Sequence, residues 1–165
     1  MNGNVTDNSQ IKQLKPKKNS RYHQGYVDTA SCKKLYESCK RERIIYRSGL
    51  ELQFIQFCEN NMKVIRWGSE PIAIPYFNRL KNRHATYYPD YVISIVKTNE
   101  NHENYIERCI IEIKPYNQTV KPREQDSRWL KETWVVNVDK WNAAKRFAES
   151  HGMKFMIITE KFFRF

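Results

Sequence analysis

The chain has 165 residues, a single-domain length, with 40% apolar and 13% aromatic residues, enough for one hydrophobic core. Its 29 lysines and arginines give a net charge of +11, which favours a polyanionic partner, nucleic acid first, through neutralisation of phosphates. No apolar run approaches the length of a membrane span, and the first ten residues lack the apolar core of a secretion signal. We therefore expect no membrane association and a protein that stays in the cytoplasm where it is made.

The first part of the chain is polar and basic, and residues 1–43 are predicted to form an N-terminal arm that is partly disordered or bound to a partner. Its basic residues include Lys12, Lys15, Lys17, Lys18 and Arg21. Residues 30–46 could begin with a short helix and continue into an extended segment. Residues 44–165 are predicted to form the folded domain.

A helix is predicted after Ser48, because Ser48 and Glu51 have the spacing of a capping box. The apolar residues that follow recur at helical spacing. They are Leu50, Phe54, Ile55, Phe57 and Cys58. The four cysteines lack the paired spacing of a zinc site or disulfide framework, so we expect free thiols, with Cys58 and Cys109 buried.

Strands are predicted next, at residues 62–67 and 70–77, followed by a basic loop at 79–85. Two longer β-branched and aromatic runs, around Asp90 and up to Lys114, are separated by a polar segment at 98–104, which indicates a hairpin.

The last third of the chain is predicted to contain a long basic connection at residues 117–134, which we expect to contact DNA. An amphipathic helix follows at 138–152, and a strand of the buried type at 153–159. Within that helix Lys140 is most simply interpreted as a surface charge beside the core residue Trp141. The order helix, strands, helix, strand predicts an α/β fold, with a mixed sheet flanked by helices.

Pro89-Asp90 and Glu112-Ile113-Lys114 are the most informative motifs of the chain. On neighbouring strands, two carboxylates and a lysine could converge on one metal-bound water, which indicates a nuclease site. Glu112 and Lys114 share one face of their strand because side chains alternate. Simpler alternatives are a turn acid for Asp90, a same-face ion pair for Glu112 and Lys114, and the capping box alone for Glu51.

With these motifs the chain resembles the PD-(D/E)XK nuclease superfamily. The resemblance implies a restriction-endonuclease-like αβββαβ core, with Asp90 as the first acid, Glu112 as the second and Lys114 as the lysine. Glu51 matches the glutamate that the first helix often supplies. Carboxylate oxygens suit Mg²⁺, with Mn²⁺ as a second choice, and the predicted ligands are Asp90, Glu112, Glu51 and the carbonyl of Ile113.

A closer resemblance covers roughly residues 44–160. Signatures at 46–52, 67–71, 74–76, 88–91, 111–115, 140–141 and 158–160 are similar to the head-completion nucleases of myovirus-type tailed bacteriophages. The resemblance implies cleavage or trimming of double-stranded DNA at the filled head, before head and tail join. It also implies portal, neck or head proteins as partners, and a location in the host cytoplasm and in the head–neck region of the virion.

The sequence is also compatible with two other functions. One is a structural neck or portal component with a nuclease-like fold. The other is a restriction, transposon-end or junction-cleaving endonuclease of the same superfamily. In all the nuclease interpretations, basic residues are expected to contact the DNA backbone without reading sequence. They are Arg47, Arg79, Lys81, Arg83, Lys121, Arg123, Arg128 and Lys131.

Overall fold

A computed structural model of the protein describes residues 23–40 and 43–163. The basic residues of the predicted arm, from Lys12 to Arg21, lie outside the described residues. The strands and helices in chain order are β1 (Gly25–Asp28), β2 (Arg43–Tyr46), α1 (Gly49–Asn60), β3 (Val64–Ser69), β4 (Ile74–Asn78), β5 (Arg83–Tyr87), β6 (Tyr91–Thr98), β7 (Asn104–Ile113), α2 (Arg128–Ser150) and β8 (Lys154–Ile158).

The central sheet has four strands in the order β3-β6-β7-β8. β3, β6 and β7 are antiparallel neighbours, and β8 is parallel to β7. Helix α2 makes the crossover that two parallel neighbouring strands require. The predicted mixed α/β fold is confirmed, because α1, β3, β6, β7, α2 and β8 supply the αβββαβ order.

The two faces of the sheet are buried by different helices. On one face Phe54 and Cys58 of α1 pack with Trp67, Tyr91 and the odd-numbered residues of β7 that follow Arg108. On the other, Ala144 and Ala148 of α2 pack with Ile110 of β7 and with the β4–β5 hairpin. Because side chains alternate along β7, Glu112 lies on the face of Ile110, towards α2.

Residues 23–40 belong to the folded domain rather than to an arm that ends at residue 43. β1 pairs with β2 as an antiparallel hairpin, and Leu35 and Cys39 are buried in the core. The segment runs along β3, where the Trp67 N–H donates to Lys34 O at 2.9 Å and the Tyr36 N–H donates to Trp67 O at 2.8 Å. A side chain at Gly68 would clash, since an added Cβ would lie 2.5 Å from the Cys39 sulfur. The segment therefore covers an edge of the sheet and contains two short 3₁₀ turns, not the α-helix considered from the sequence.

Other boundaries also differ from prediction. The predicted basic loop at 79–85 contains the start of β5, which pairs with β4 outside the central sheet. Helix α2 begins at Arg128, ten residues earlier than predicted, with the Ser127 hydroxyl accepting from the Leu130 N–H. The last strand was expected to be buried, but β8 is the sheet edge, and Met156 is exposed there.

The predicted state of the cysteines is confirmed: all four are free and buried. The predicted core residue Trp141 is buried as well, as are Ala144 and Ala148 on the same helix. Among the described residues, no helix is long and apolar enough to cross a membrane.

Candidate active site

The predicted acids meet where β6 begins and β7 ends. Tyr91 pairs with Ile111, so the next pair outward in the same register is Asp90 opposite Glu112. Asp90 immediately precedes β6, and Glu112 is the penultimate residue of β7. The hairpin predicted from the sequence therefore brings the two carboxyl groups together from positions 22 residues apart.

The Pro-Asp motif replaces the last backbone hydrogen-bonded pair between β6 and β7 by a side-chain contact. The Lys114 N–H donates to Ile158 O in β8, so the alternation of the strand turns the N–H and C=O of Ile113 towards β6. The residue opposite Ile113 is Pro89, which has no N–H to donate. The Ile113 N–H donates instead to Asp90 Oδ2 at 2.7 Å. The Ile113 carbonyl thus faces β6 without the ladder partner it would otherwise have, and its role as a metal ligand stays a prediction.

Glu112 is held at both carboxylate oxygens. Lys114 Nζ lies 2.7 Å from Oε1, and the Tyr87 hydroxyl donates to Oε2 at 2.5 Å. The Glu112 side chain is only 4% exposed, so these two contacts replace water around a buried charge. These two contacts fix the orientation of the Glu112 carboxylate.

The pKa values of Asp90 and Lys114 distinguish between two possibilities, a partly dry site at which the acids converge and a solvated ion pair. Burial raises the pKa of the Asp90 carboxyl to about 8, and the neighbouring Glu112 adds to the rise. Burial by itself lowers the pKa of the Lys114 ammonium, but Glu112 and Asp90 outweigh it and raise that pKa. Both carboxyl groups thus act on the Lys114 ammonium, and the raised pKa of Asp90 indicates that the metal-free site disfavours its ionised form.

Glu51 lies at the rim, and its carboxylate is engaged in the capping box. It accepts from the Arg47 N–H at 2.9 Å and from the Ser48 hydroxyl at 3.2 Å. Burial raises its pKa, while the charges of Arg47 and Lys114 oppose the rise. Glu51 is near enough to Lys114 and Asp90 to influence both of their pKa values. The helix-capping role predicted for Glu51 is confirmed, and its role as a metal ligand stays a prediction.

Two residues at the site were not assigned to it from the sequence. Tyr87 ends β5 and reaches Glu112 from the β4–β5 hairpin. Lys140 in α2 lies with its Nζ 5.5 Å from the centre of the Tyr87 ring, and Glu112 and Asp90 act on its charge. Tyr87 is only three residues before Asp90. The sequence pattern predicted one continuous strand where the structure has β5 and β6, so the contact of Tyr87 with the site was not predicted.

The donor set fits a hard divalent cation. Among residues 23–40 and 43–163, no three His, Cys, Asp or Glu side chains are arranged to hold a metal ion without further ligands. Mg²⁺ does not require such a cage, because it binds through one or two carboxylates and keeps several waters. Asp90, Glu112 and the Ile113 carbonyl supply oxygen atoms of this kind, and a bound cation would favour the ionised form of Asp90, whose pKa is raised.

Comparison with known proteins agrees with this geometry. The model of the TnsA-like endonuclease N-terminal family matches residues 61–160, which include Asp90, Glu112 and Lys114. The chain belongs to this family. The resemblance to PD-(D/E)XK nucleases found in the sequence is thereby confirmed.

A relative of this TnsA-like chain is the head completion nuclease of Enterobacteria phage T4. The two are 38% identical over 128 residues, which cover 72% of this chain and 80% of the relative. Nothing among solved structures matches significantly. The similarity to head-completion nucleases inferred from the sequence is confirmed, and both comparisons support a nuclease.

The eight basic residues predicted to bind DNA lie in four places on this TnsA-like domain. Arg47 is at the rim of the acids, where it pairs with Glu70 at 2.8 Å. Other residues occupy the turn of the β4–β5 hairpin, the segment after β7 and the first turn of α2. These are Arg79, Lys81 and Arg83, then Lys121 and Arg123, then Arg128 and Lys131.

Several of these charges already have protein partners. Arg79 pairs with Asp139 of α2 at 2.6 Å and ties the hairpin to the helix. Arg123 and Arg128 form exposed ion pairs with Asp126 and Glu132. Lys81, Arg83 and Lys121 are exposed and form no ion pair with the described residues. DNA contact by the eight residues stays a prediction, and these last three are the most available for it.

Tyr87→Phe is expected to lower the rate of DNA cleavage on the order of tenfold, because a hydrogen bond to a charged group contributes about 1.5–3 kcal/mol. The phenyl ring preserves the packing, so the folded structure should persist while Glu112 loses one of its two fixed contacts. Steady-state cleavage of a plasmid measures the effect. Tyr88→Phe is the matched control, since Tyr88 is the next residue and is 48% exposed. Equal rates for the Tyr87→Phe variant and the wild type would contradict the positioning role of Tyr87.

Proposed function

We propose that the protein is a divalent-metal-dependent DNA nuclease that hydrolyses phosphodiester bonds. The convergence of Asp90, Glu112 and Lys114 where β6 begins and β7 ends is the observation that carries this proposal. It is supported by the match to an endonuclease family and by the similarity to a head completion nuclease. The net charge of +11 suits double-stranded DNA as the substrate.

In the proposed mechanism Asp90, Glu112 and the Ile113 carbonyl would hold Mg²⁺, or Mn²⁺, and Glu51 would contribute from the rim. Such an ion would supply positive charge for the scissile phosphate and would lower the pKa of a water molecule. Tyr87 keeps the Glu112 carboxylate oriented by donating to Oε2. The buried wall of β6 and β7 limits bulk water and strengthens these interactions.

In this mechanism the ammonium group of Lys114 lies at the reacting centre. Its Nζ contacts Glu112 Oε1 and carries a positive charge at neutral pH, since its pKa is raised. An ammonium at this position can donate hydrogen bonds to the attacking water and to the charge that develops on the phosphate oxygens.

The similarity to a head completion nuclease supports a more specific biological role. We infer that the protein acts in phage head completion, cleaving or trimming DNA at the filled head so that head and tail can join. Portal, neck or head proteins are the expected partners. The expected location is the host cytoplasm and the head–neck region of the virion.

The test is cleavage of supercoiled plasmid by the purified protein, with Mg²⁺ and with EDTA. The double variant Asp90→Asn, Glu112→Gln serves as the inactive control, because it removes both carboxylate charges while preserving side-chain size. We expect nicked and linear products only with the wild type and Mg²⁺. Cleavage that persists in EDTA, or equally in the double variant, would come from another site or a contaminant. No cleavage with Mg²⁺ or Mn²⁺ would favour a structural role instead.

A further inference from the structure

Helix α2 places a second lysine at the acidic site. Lys140 precedes Ala144 by four residues, so both lie on the same face of the helix. Ala144 packs against Ile110 of β7, and α2 runs antiparallel to β7 because β8 returns parallel to it. One helical turn towards the start of α2 therefore corresponds to two residues along β7, from Ile110 to Glu112. This geometry brings the Lys140 side chain over the face that carries Glu112 and Lys114.

Unlike Lys114, Lys140 has no fixed anionic partner. Its Nζ lies 5.5 Å from the centre of the Tyr87 ring and makes no hydrogen bond or ion pair with the described residues. The nearby carboxylates are contacted by other groups, since Glu112 contacts Lys114 and Tyr87, and Asp90 Oδ2 accepts from the Ile113 N–H. Burial lowers the pKa of Lys140, and the charge of Lys114 lowers it further, against the opposing effect of Glu112 and Asp90.

A half-buried ammonium that forms no ion pair is unfavourable in the free protein, because burial removes part of its water shell. An anion entering the site would supply the missing contact. We propose that Lys140 is a catalytic residue that contacts a non-bridging oxygen of the scissile phosphate of DNA, beside Lys114. The proposal rests on the nuclease function proposed above.

The charge balance of the site supports this assignment. Asp90 and Glu112 carry two negative charges when ionised, and Lys114 and Lys140 carry two positive charges. A divalent cation would then leave a surplus of positive charge for the phosphodiester and for the additional negative charge that develops during hydrolysis. Without Lys140 this surplus is halved, so the loss should be greatest in the transition state.

The decisive variant is Lys140→Met, which preserves the length and packing of the side chain but removes its charge. We expect kcat for plasmid cleavage to fall on the order of 100-fold with little change in KM. The melting temperature of the metal-free protein should rise, because the fold disfavours the ammonium that the variant removes. If Lys140 instead only stabilises the fold through its contact with the Tyr87 ring, its removal should lower the melting temperature.

Two companion variants complete the test. Lys145→Met removes an exposed charge from the same helix and should leave kcat unchanged. Lys140→Arg keeps the positive charge and should recover part of the lost rate. Wild-type kcat in Lys140→Met, a change confined to KM, or a lower melting temperature in that variant would each overturn the proposal. A wild type that cleaves no DNA would instead overturn the nuclease function itself.

Discussion

Asp90→Asn is expected to abolish metal-dependent DNA cleavage and to stabilise the metal-free protein. The rate should fall on the order of 1000-fold, because the amide removes a charged oxygen ligand from the site. The stability gain has a separate cause. Asp90 is partly buried beside Glu112, so its ionised form is unfavourable in the fold, as its raised pKa of about 8 indicates. The amide oxygen can still accept from the Ile113 N–H.

The pH dependence of this gain follows from linkage. An unfolded aspartate titrates at a pKa of about 3.9, whereas folded Asp90 holds its proton up to about pH 8. Between these values the folded state binds more protons, so the wild type loses stability as the pH rises. The difference between Asp90→Asn and the wild type should grow from pH 4 to pH 8 and then level off.

Thermal unfolding in EDTA across this pH range measures the effect. Adding Mg²⁺ should raise the melting temperature of the wild type, since the cation stabilises the ionised carboxylates, and should have less effect on Asp90→Asn. Glu100→Gln, at an exposed turn, removes one negative charge elsewhere and controls for net charge. Equal melting temperatures for Asp90→Asn and the wild type at pH 8 would mean that Asp90 does not carry an unfavourable buried charge.

The acids and the lysine could be predicted because their signals are local. Alternation in β7 fixes the shared face of Glu112 and Lys114, and the polar turn at 98–104 predicts the hairpin that places Asp90 opposite Glu112. The capping box of Ser48 and Glu51 likewise fixed the start of α1. At Ser127 the same hydroxyl cap is followed by Leu130 rather than a glutamate, so the start of α2 had no comparable signal.

Tyr87 and Lys140 could not be predicted because their positions depend on long-range pairing. A strand pattern does not identify its partner, and β4 leaves the central sheet to pair with β5. That pairing directs Tyr87 towards Glu112, and the packing of α2 across the sheet brings Lys140 to the same place. The burial of residues 23–40 escaped prediction for a related reason. Leu35 and Cys39 are isolated apolar residues in a polar stretch, and only contact with β3 buries them.

Lys114→Met is expected to lower the cleavage rate on the order of 100-fold to 1000-fold, because it removes the ammonium assigned to the reacting centre. Unlike Lys140→Met, it should also destabilise the protein, by about 1–3 kcal/mol at pH 7. The two variants differ in stability because Lys114 forms an ion pair with Glu112, whereas Lys140 forms no ion pair with the described residues. Its removal leaves the Glu112 carboxylate, 4% exposed, with Tyr87 as its one remaining polar contact from the site.

The pH dependence distinguishes the ion pair from a packing effect. The folded pKa of Lys114 is raised, so its stabilising contribution is fully present below the unfolded value of about 10.4 and is lost only as the pH rises through the folded value. The destabilisation of Lys114→Met should therefore stay constant from pH 6 to pH 7 in urea unfolding, below the pH at which Asp90, whose pKa Lys114 lowers, becomes ionised. Lys114→Arg should retain more of the stability than of the activity, because a guanidinium keeps the charge but not the position of the donor. A Lys114→Met protein as stable as the wild type would show that the pair with Glu112 contributes nothing net to folding, and retained cleavage would remove Lys114 from the proposed mechanism.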